Sequence, residues 1–131
     1  MFKRIDHVEM ITSDFQGTID FYTDVLGFRH HHTLQIPDRP VEVAYLTLNN
    51  ASIEVINYRD GSAAPAPPPE HLGYRMMALE VEDMDKAIAH LQAHGVEVHM
   101  PPRLYDKFSR AEIKDPNGFR IELRQWFEPP L

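Results

Sequence analysis

The residues whose types best suit acid–base or metal chemistry are His7, Glu54 in Ile53-Glu54-Val55, and Glu122 in Ile121-Glu122-Leu123. A carboxylate can move a proton or hold a hard cation, and a neutral imidazole can do either. Each also has an ordinary reading. A Glu alternating with apolar neighbours is the solvent-facing residue of a half-buried strand, and a lone His on a first strand is a hydrogen-bonded core or cleft residue. His30-His31-His32 concentrates imidazoles further along. Alternate residues of a regular strand share a face, so His30 and His32 can approach one metal ion. Such tracts also bind metal incidentally, and the simpler reading is an exposed or cleft-edge strand. Tyr45, Arg75, Tyr105, Phe108 and Trp126 are of types that line pockets, or that fill cores. The absence of cysteine excludes a thiol nucleophile, a thiolate metal site and a disulfide framework. No glycine-rich nucleotide loop and no Ser–His–Asp set is present.

At 131 residues the chain has the size of one domain, and its 43% apolar content is ample for a core. A net charge of −7 with scattered Lys and Arg argues against a nucleic-acid surface. Met1-Phe2-Lys3-Arg4-Ile5-Asp6-His7 lacks the apolar stretch of a signal peptide, and no window approaches the roughly 20 apolar residues needed to span a bilayer. A cytoplasmic protein with neither a nucleic-acid nor a membrane partner is expected.

The elements that must position these side chains are written twice. Asp14, Phe15, Ile19 and Tyr22 recur as Asp83, Met84, Ile88 and Leu91, an offset of 69; from Gly27 and Gly95 onward the offset is 68. In that later register Asn49, Ile53, Glu54, Val55 and Tyr58 recur as Asn117, Ile121, Glu122, Leu123 and Trp126. Each half therefore reads as one supersecondary unit. In the first, Ile5–Ile11 has strand composition. Ser13 or Asp14 can cap a helix with the stripe Phe15, Ile19, Tyr22 and Leu26, which Gly27 closes. Strands Arg29–Gln35, Val41–Leu48 and Ser52–Asn57 follow, with Asn49-Asn50 as a hairpin turn. The second half predicts strand Tyr74–Val81, helix Met84–Ala93, and strands Val96–Met100, Ser109–Lys114 and Arg120–Gln125. Asp115-Pro116-Asn117-Gly118 is the turn before the last. Between the halves, residues 60–73 carry Ala64-Pro65-Ala66-Pro67-Pro68-Pro69, a proline-stiffened linker.

Tandem βαβββ modules with Phe21-Tyr22-Thr23-Asp24-Val25-Leu26-Gly27-Phe28 in one and Asp115-Pro116-Asn117-Gly118-Phe119-Arg120-Ile121-Glu122-Leu123 in the other resemble the vicinal-oxygen-chelate superfamily. That group includes glyoxalase I, bleomycin-resistance proteins and extradiol dioxygenases. The resemblance covers nearly the whole chain and identifies fold better than reaction. It implies an α+β domain over residues 1–131, with module one 1–59, the linker 60–73 and module two 74–127. The modules would form an eight-stranded, open, cup-shaped mixed sheet with the helices outside.

Carried over by position, the resemblance implies a divalent metal (Ni, Zn, Fe, Mn or Co) held by His7, Glu54 and Glu122, with Met76 at the fourth position. Glu122 would be the mobile catalytic base and Glu54 its pseudo-symmetric partner. An imidazole and two carboxylates with open positions suit a catalytic ion. Met76 is a soft thioether that serves such ions poorly and reads as a core or pocket residue. A replacement nitrogen would have to come from His71 or a partner chain. Ile11 stands where glyoxalase I places an arginine for glutathione. The implied function is a glyoxalase I-like lyase or isomerase acting on a small carbonyl compound or thiol adduct, as a homodimer. The alternatives are a metal-free, ligand-sequestering protein of the bleomycin-resistance kind, which Met76 favours, and an extradiol dioxygenase, which the missing second His disfavours.

Overall fold

The chain is α+β, and the computed structural model describes residues 1–128. It divides into two compact units, with the boundary between Ala66 and Pro67 inside the proline-rich segment. The first unit runs β1 (Val8–Thr12), α1 (Phe15–Asp20), a π-helical turn (Phe21–Val25), β2 (Arg29–Gln35), β3 (Val41–Leu48) and β4 (Ala51–Tyr58). The second repeats the order with β5 (Met77–Glu80), α2 (Met84–Ala93), β6 (Val98–Leu104), β7 (Phe108–Lys114) and β8 (Arg120–Trp126). Each unit builds one four-stranded mixed sheet, β1-β4-β3-β2 in one and β5-β8-β7-β6 in the other. In both, the first strand runs parallel to the last and the other pairings are antiparallel.

Local chemistry explains the boundaries. Asp14 accepts the Gly17 N–H at 3.1 Å and Asp83 accepts the Lys86 N–H at 3.0 Å, so both helices carry the expected carboxylate cap. Gly27 and Gly95 end the helical segments at φ +79° and +72°, a conformation costly for residues with a Cβ. Asn49 takes φ +51° in the two-residue turn that pairs Leu48 with Ala51. Asp115 accepts the Asn117 and Phe119 N–H groups at 2.9 and 2.8 Å, fixing the turn into β8.

One face of each sheet is core. In the first unit Ala44, Leu46, Ile53 and Val55 are buried, as are Ile19 and Tyr22 of the helical segment; α1 packs on β4. In the second, Ala111, Ile113, Ile121 and Leu123 are buried with Met84 and Leu91 of α2. Each of the larger aliphatic side chains contributes about 1.5–3 kcal/mol by leaving water, and each alanine methyl about 0.8 kcal/mol. The alternation that buries Ile53 and Val55 sends Glu54 to the opposite face, and the alternation at Ile121 and Leu123 does the same for Glu122.

Several expectations need adjustment. β1 begins at Val8, not Ile5, because its pairing with β4 starts at Val8 opposite Ile53. Similarly β5 is confined to Met77–Glu80, the residues that pair with β8. β6 runs through Pro101 and Pro102 to Leu104, beyond the expected Met100. It is an edge strand with register shifts on either side of Met100, where missing N–H donors are tolerated. No helix among the described residues is long and apolar enough to cross a membrane.

Candidate functional site

In the first unit, His7, Glu9 and Glu54 gather: one ligand atom from each lies within 4.8 Å of the others. Glu9 and Glu54 are register partners on β1 and β4, and His7, two residues before Glu9, falls on the same side. The imidazole Nε2 stands 3.6 Å from both Glu9 Oε1 and Glu54 Oε1. Its Nδ1 is 3.1 Å from Asp6 Oδ2, and Arg4 donates to the other Asp6 oxygen at 2.9 Å. A carboxylate behind one ring nitrogen fixes the ring and frees the other nitrogen for a cation. The hydrogen bond to Asp6, followed by the charges of Glu54, Asp6 and Glu9, raises the His7 pKa above 6.5, against some opposition from desolvation.

Glu54 is 8% exposed, which displaces the reading of a solvent-facing strand residue. Tyr45 sits opposite it on β3. Burial first, then the charge of Glu54 and a hydrogen bond to it, raises the Tyr45 pKa. The His32 ring stacks on Tyr45 at 4.5 Å.

The histidine tract does not form a chelate. A bulge between His30 and His32 pairs His30 with Leu46 and His32 with Tyr45, which point to opposite faces. The alternation expected for a regular strand is therefore broken. His30 bonds to Thr33 Oγ1 at 3.0 Å and His31 to Thr47 Oγ1 at 2.8 Å.

The second unit carries a different cluster. Glu122, 7% exposed, receives Arg124 Nε–H at 2.7 Å and lies 3.0 Å from Arg110 Nη2. Glu112, its partner on β7 and 4% exposed, binds Arg110 and has Arg75 and Arg120 each at 3.9 Å. To act as a mobile base, Glu122 has to give up two guanidinium contacts. Met76 is half-buried beside Arg75, whose Nη1 approaches its sulfur at 3.6 Å. His71 bonds to the Pro68 carbonyl at 2.7 Å, and Ile11 is 53% exposed.

Sequence reasoning named Arg75 as a pocket candidate but missed Asp6, Glu9, Glu112, Arg110, Arg120 and Arg124. The available signal was period two. His7 and Glu9, Arg110 and Glu112, and Glu122 and Arg124 are all spaced i, i+2, which puts each pair on one face of an extended strand.

Comparison with known proteins gives a consistent picture. The model of the Glyoxalase/Bleomycin resistance protein/Dioxygenase superfamily matches residues 4–123. YaeR of Escherichia coli (strain K12), itself described as uncharacterized, is 31% identical over 92% of this chain and 95% of its own. A lactoylglutathione lyase of Escherichia coli O157:H7 is 26% identical over 92% of this chain and 90% of its own. Among solved structures, a glyoxalase family protein from Enterococcus faecalis superposes with a TM-score of 0.81 at 31% identity, covering 94% of this chain and 98% of that one.

Proposed function

Because the chain belongs to the Glyoxalase/Bleomycin resistance protein/Dioxygenase superfamily, we propose that it is a metal-dependent lyase or isomerase acting on a small carbonyl compound or its thiol adduct. The observation that carries this reading is the convergence of His7 Nε2, Glu9 and Glu54 within 4.8 Å. One imidazole and two carboxylates form a donor set that fits Ni, Zn, Fe, Mn or Co. A divalent ion held there would supply Lewis acidity toward a carbonyl oxygen.

In this reading His7 is the fixed nitrogen donor, with Asp6 holding its ring. Glu54, buried beside Tyr45 and His7, is both a donor to the ion and the carboxylate that moves a proton between adjacent carbons. Glu122, expected as the mobile base, is tied to Arg110 and Arg124, so the reading places the base role on Glu54. The lactoylglutathione lyases among its relatives support the reaction class. A homodimer belongs to the same proposal, supported by the exposure of Val8 (48%) and Ile11 (53%) on the edge strand β1.

Metal analysis of untagged, gently purified protein is the test, run beside turnover of small 2-oxoaldehydes with and without thiol. The expected result is one divalent ion per chain, lost in His7→Ala and Glu54→Gln and retained in Glu122→Gln. Metal content far below one ion per chain in the unmodified protein sinks the proposal.

A second reading, a metal-free small-molecule binding protein, is favoured by Met76 and by the arginine contacts of Glu122. It requires ligand binding that is indifferent to chelators.

A further inference from the structure

On the face of the second sheet that carries Glu112 and Glu122, cations outnumber carboxylates. Arg110, Arg120 and Arg124 lie there by register, and Arg75 reaches in from the segment before β5. Lys114 opposite Arg120 and Arg103 opposite Arg110 add to the excess. The opposing charges are Glu112, Glu122 and Glu80, the last opposite Arg124. This surplus arises in a chain whose net charge is −7.

Hydrogen-bonding capacity is equally unbalanced. Four guanidiniums carry about twenty N–H donors, and two carboxylates offer about eight lone-pair positions. Arg110 and Arg124 are engaged closely with the glutamates. Arg75 and Arg120 are not: each stands 3.9 Å from a different oxygen of Glu112, beyond hydrogen-bond length. Arg110 Nε is buried without an acceptor, so even the engaged part of the cluster has donors to spare.

We propose that this face binds a small organic acid, its carboxylate held between Arg75 and Arg120 on either side of Glu112. A guanidinium pair matches a carboxylate in charge and planar geometry. Ala78 lies next to Glu122 in the sheet, and Met76, half-buried just before β5 with its sulfur 3.6 Å from Arg75 Nη1, gives a short apolar body a further surface to rest on. The thioether at Met76 is consistent with this assignment: a face with surplus guanidiniums repels a dication and attracts an anion. All the residues concerned are in the second unit, so the proposal stands apart from the metal reading of the first.

The probe is sodium propionate, titrated by calorimetry into full-length protein stripped of metal on a chelating resin, with propionamide as the neutral control. Saturable propionate binding that weakens about tenfold or more in Arg75→Gln and in Arg120→Gln, with Arg120→Lys retaining part of it, is the expected outcome. Arg29→Gln, an exposed arginine of the first unit, leaves binding unchanged, and Glu112→Gln, which removes the competing carboxylate, tightens it. Circular dichroism confirms that each variant is folded. Equal binding of propionamide, or equal loss in Arg29→Gln, overturns the proposal. Inorganic phosphate is titrated in parallel. If phosphate binds through the same arginines and propionate does not, the carboxylate assignment fails in favour of a phosphorylated ligand.

Discussion

Replacing Glu112 with Gln removes one negative charge from the arginine face while keeping the shape of the side chain. Glu112 is 4% exposed, and its carboxylate faces Arg110, Arg75 and Arg120. Removing one partner of a fully buried ion pair costs about 3–5 kcal/mol. Here the guanidinium side chains are 22%, 47% and 23% exposed, so water screens part of the repulsion they are left with, and Arg110 keeps Glu122. The discounted cost is about 2–3 kcal/mol. For a chain of this length that corresponds to a fall in Tm of about 10 °C. Thermal unfolding followed by far-UV circular dichroism at low salt reads it directly, with urea titration giving the free energy. Two further results follow from the same reasoning. Added salt should narrow the gap between variant and parent, and Glu112→Gln/Arg120→Gln should recover part of the loss. A Tm within 2 °C of the parent, or a double variant less stable than the single one by the full cost of a second lesion, would refute the charge accounting.

Other consequences are open to equally direct checks. Alanine at Gly17 should destabilise despite its better helix propensity: its Cβ would stand 2.2 Å from Asp14 Oδ2, displacing the helix cap. The expected loss is about 1 kcal/mol, and Gly17→Ala/Asp14→Ala should cost little more than Asp14→Ala alone in urea unfolding. In the metal-free chain the His7 imidazole should titrate by NMR above 6.5, with its midpoint falling in Asp6→Asn. Because the folded pKa is the raised one, the associated stability is fully present below the unfolded pKa and disappears as pH rises through the folded pKa. An unchanged midpoint in Asp6→Asn would remove Asp6 from its role. Tyr45→Phe takes away the hydrogen bond to Glu54 and should weaken metal affinity about tenfold, measured by competition with a fluorescent chelator.

The repeat was legible because it is carried by core and turn residues, whose chemistry is local. Gly27, Gly95, Asn49 and Asp115 each answer to a backbone requirement, and Ile53 and Ile121 to an alternation of faces. β6 was cut short because Pro101 and Pro102 forbid a central strand; only the sheet order shows that this strand is an edge. The histidine tract is the exposed edge strand that its composition suggested, but the bulge that parts His30 from His32 was not legible, because a bulge is a property of two strands and β3 has no say in the composition of β2. Glu54 and Glu122 sit where alternation puts them, yet their burial comes from Tyr45 and from the arginines, cross-strand neighbours that one strand's pattern cannot name. Glu9 was within reach, two residues from His7.

The parallel pairing of β1 with β4 also bears on how the first unit assembles. Strands β2, β3 and β4 form a meander of short-range contacts, while β1 joins it across 45 residues, Val8 against Ile53. Closing a loop of that length is entropically the slower event, so β1 should dock onto a meander already formed. His7 and Glu9 travel with β1 and Glu54 waits on β4, which makes the proposed metal donors one of the last features to come together. A bound ion would then favour the native state over the folding transition state. It would slow unfolding and leave the refolding rate nearly unchanged, so that in stopped-flow chevrons the metal would move one limb and spare the other.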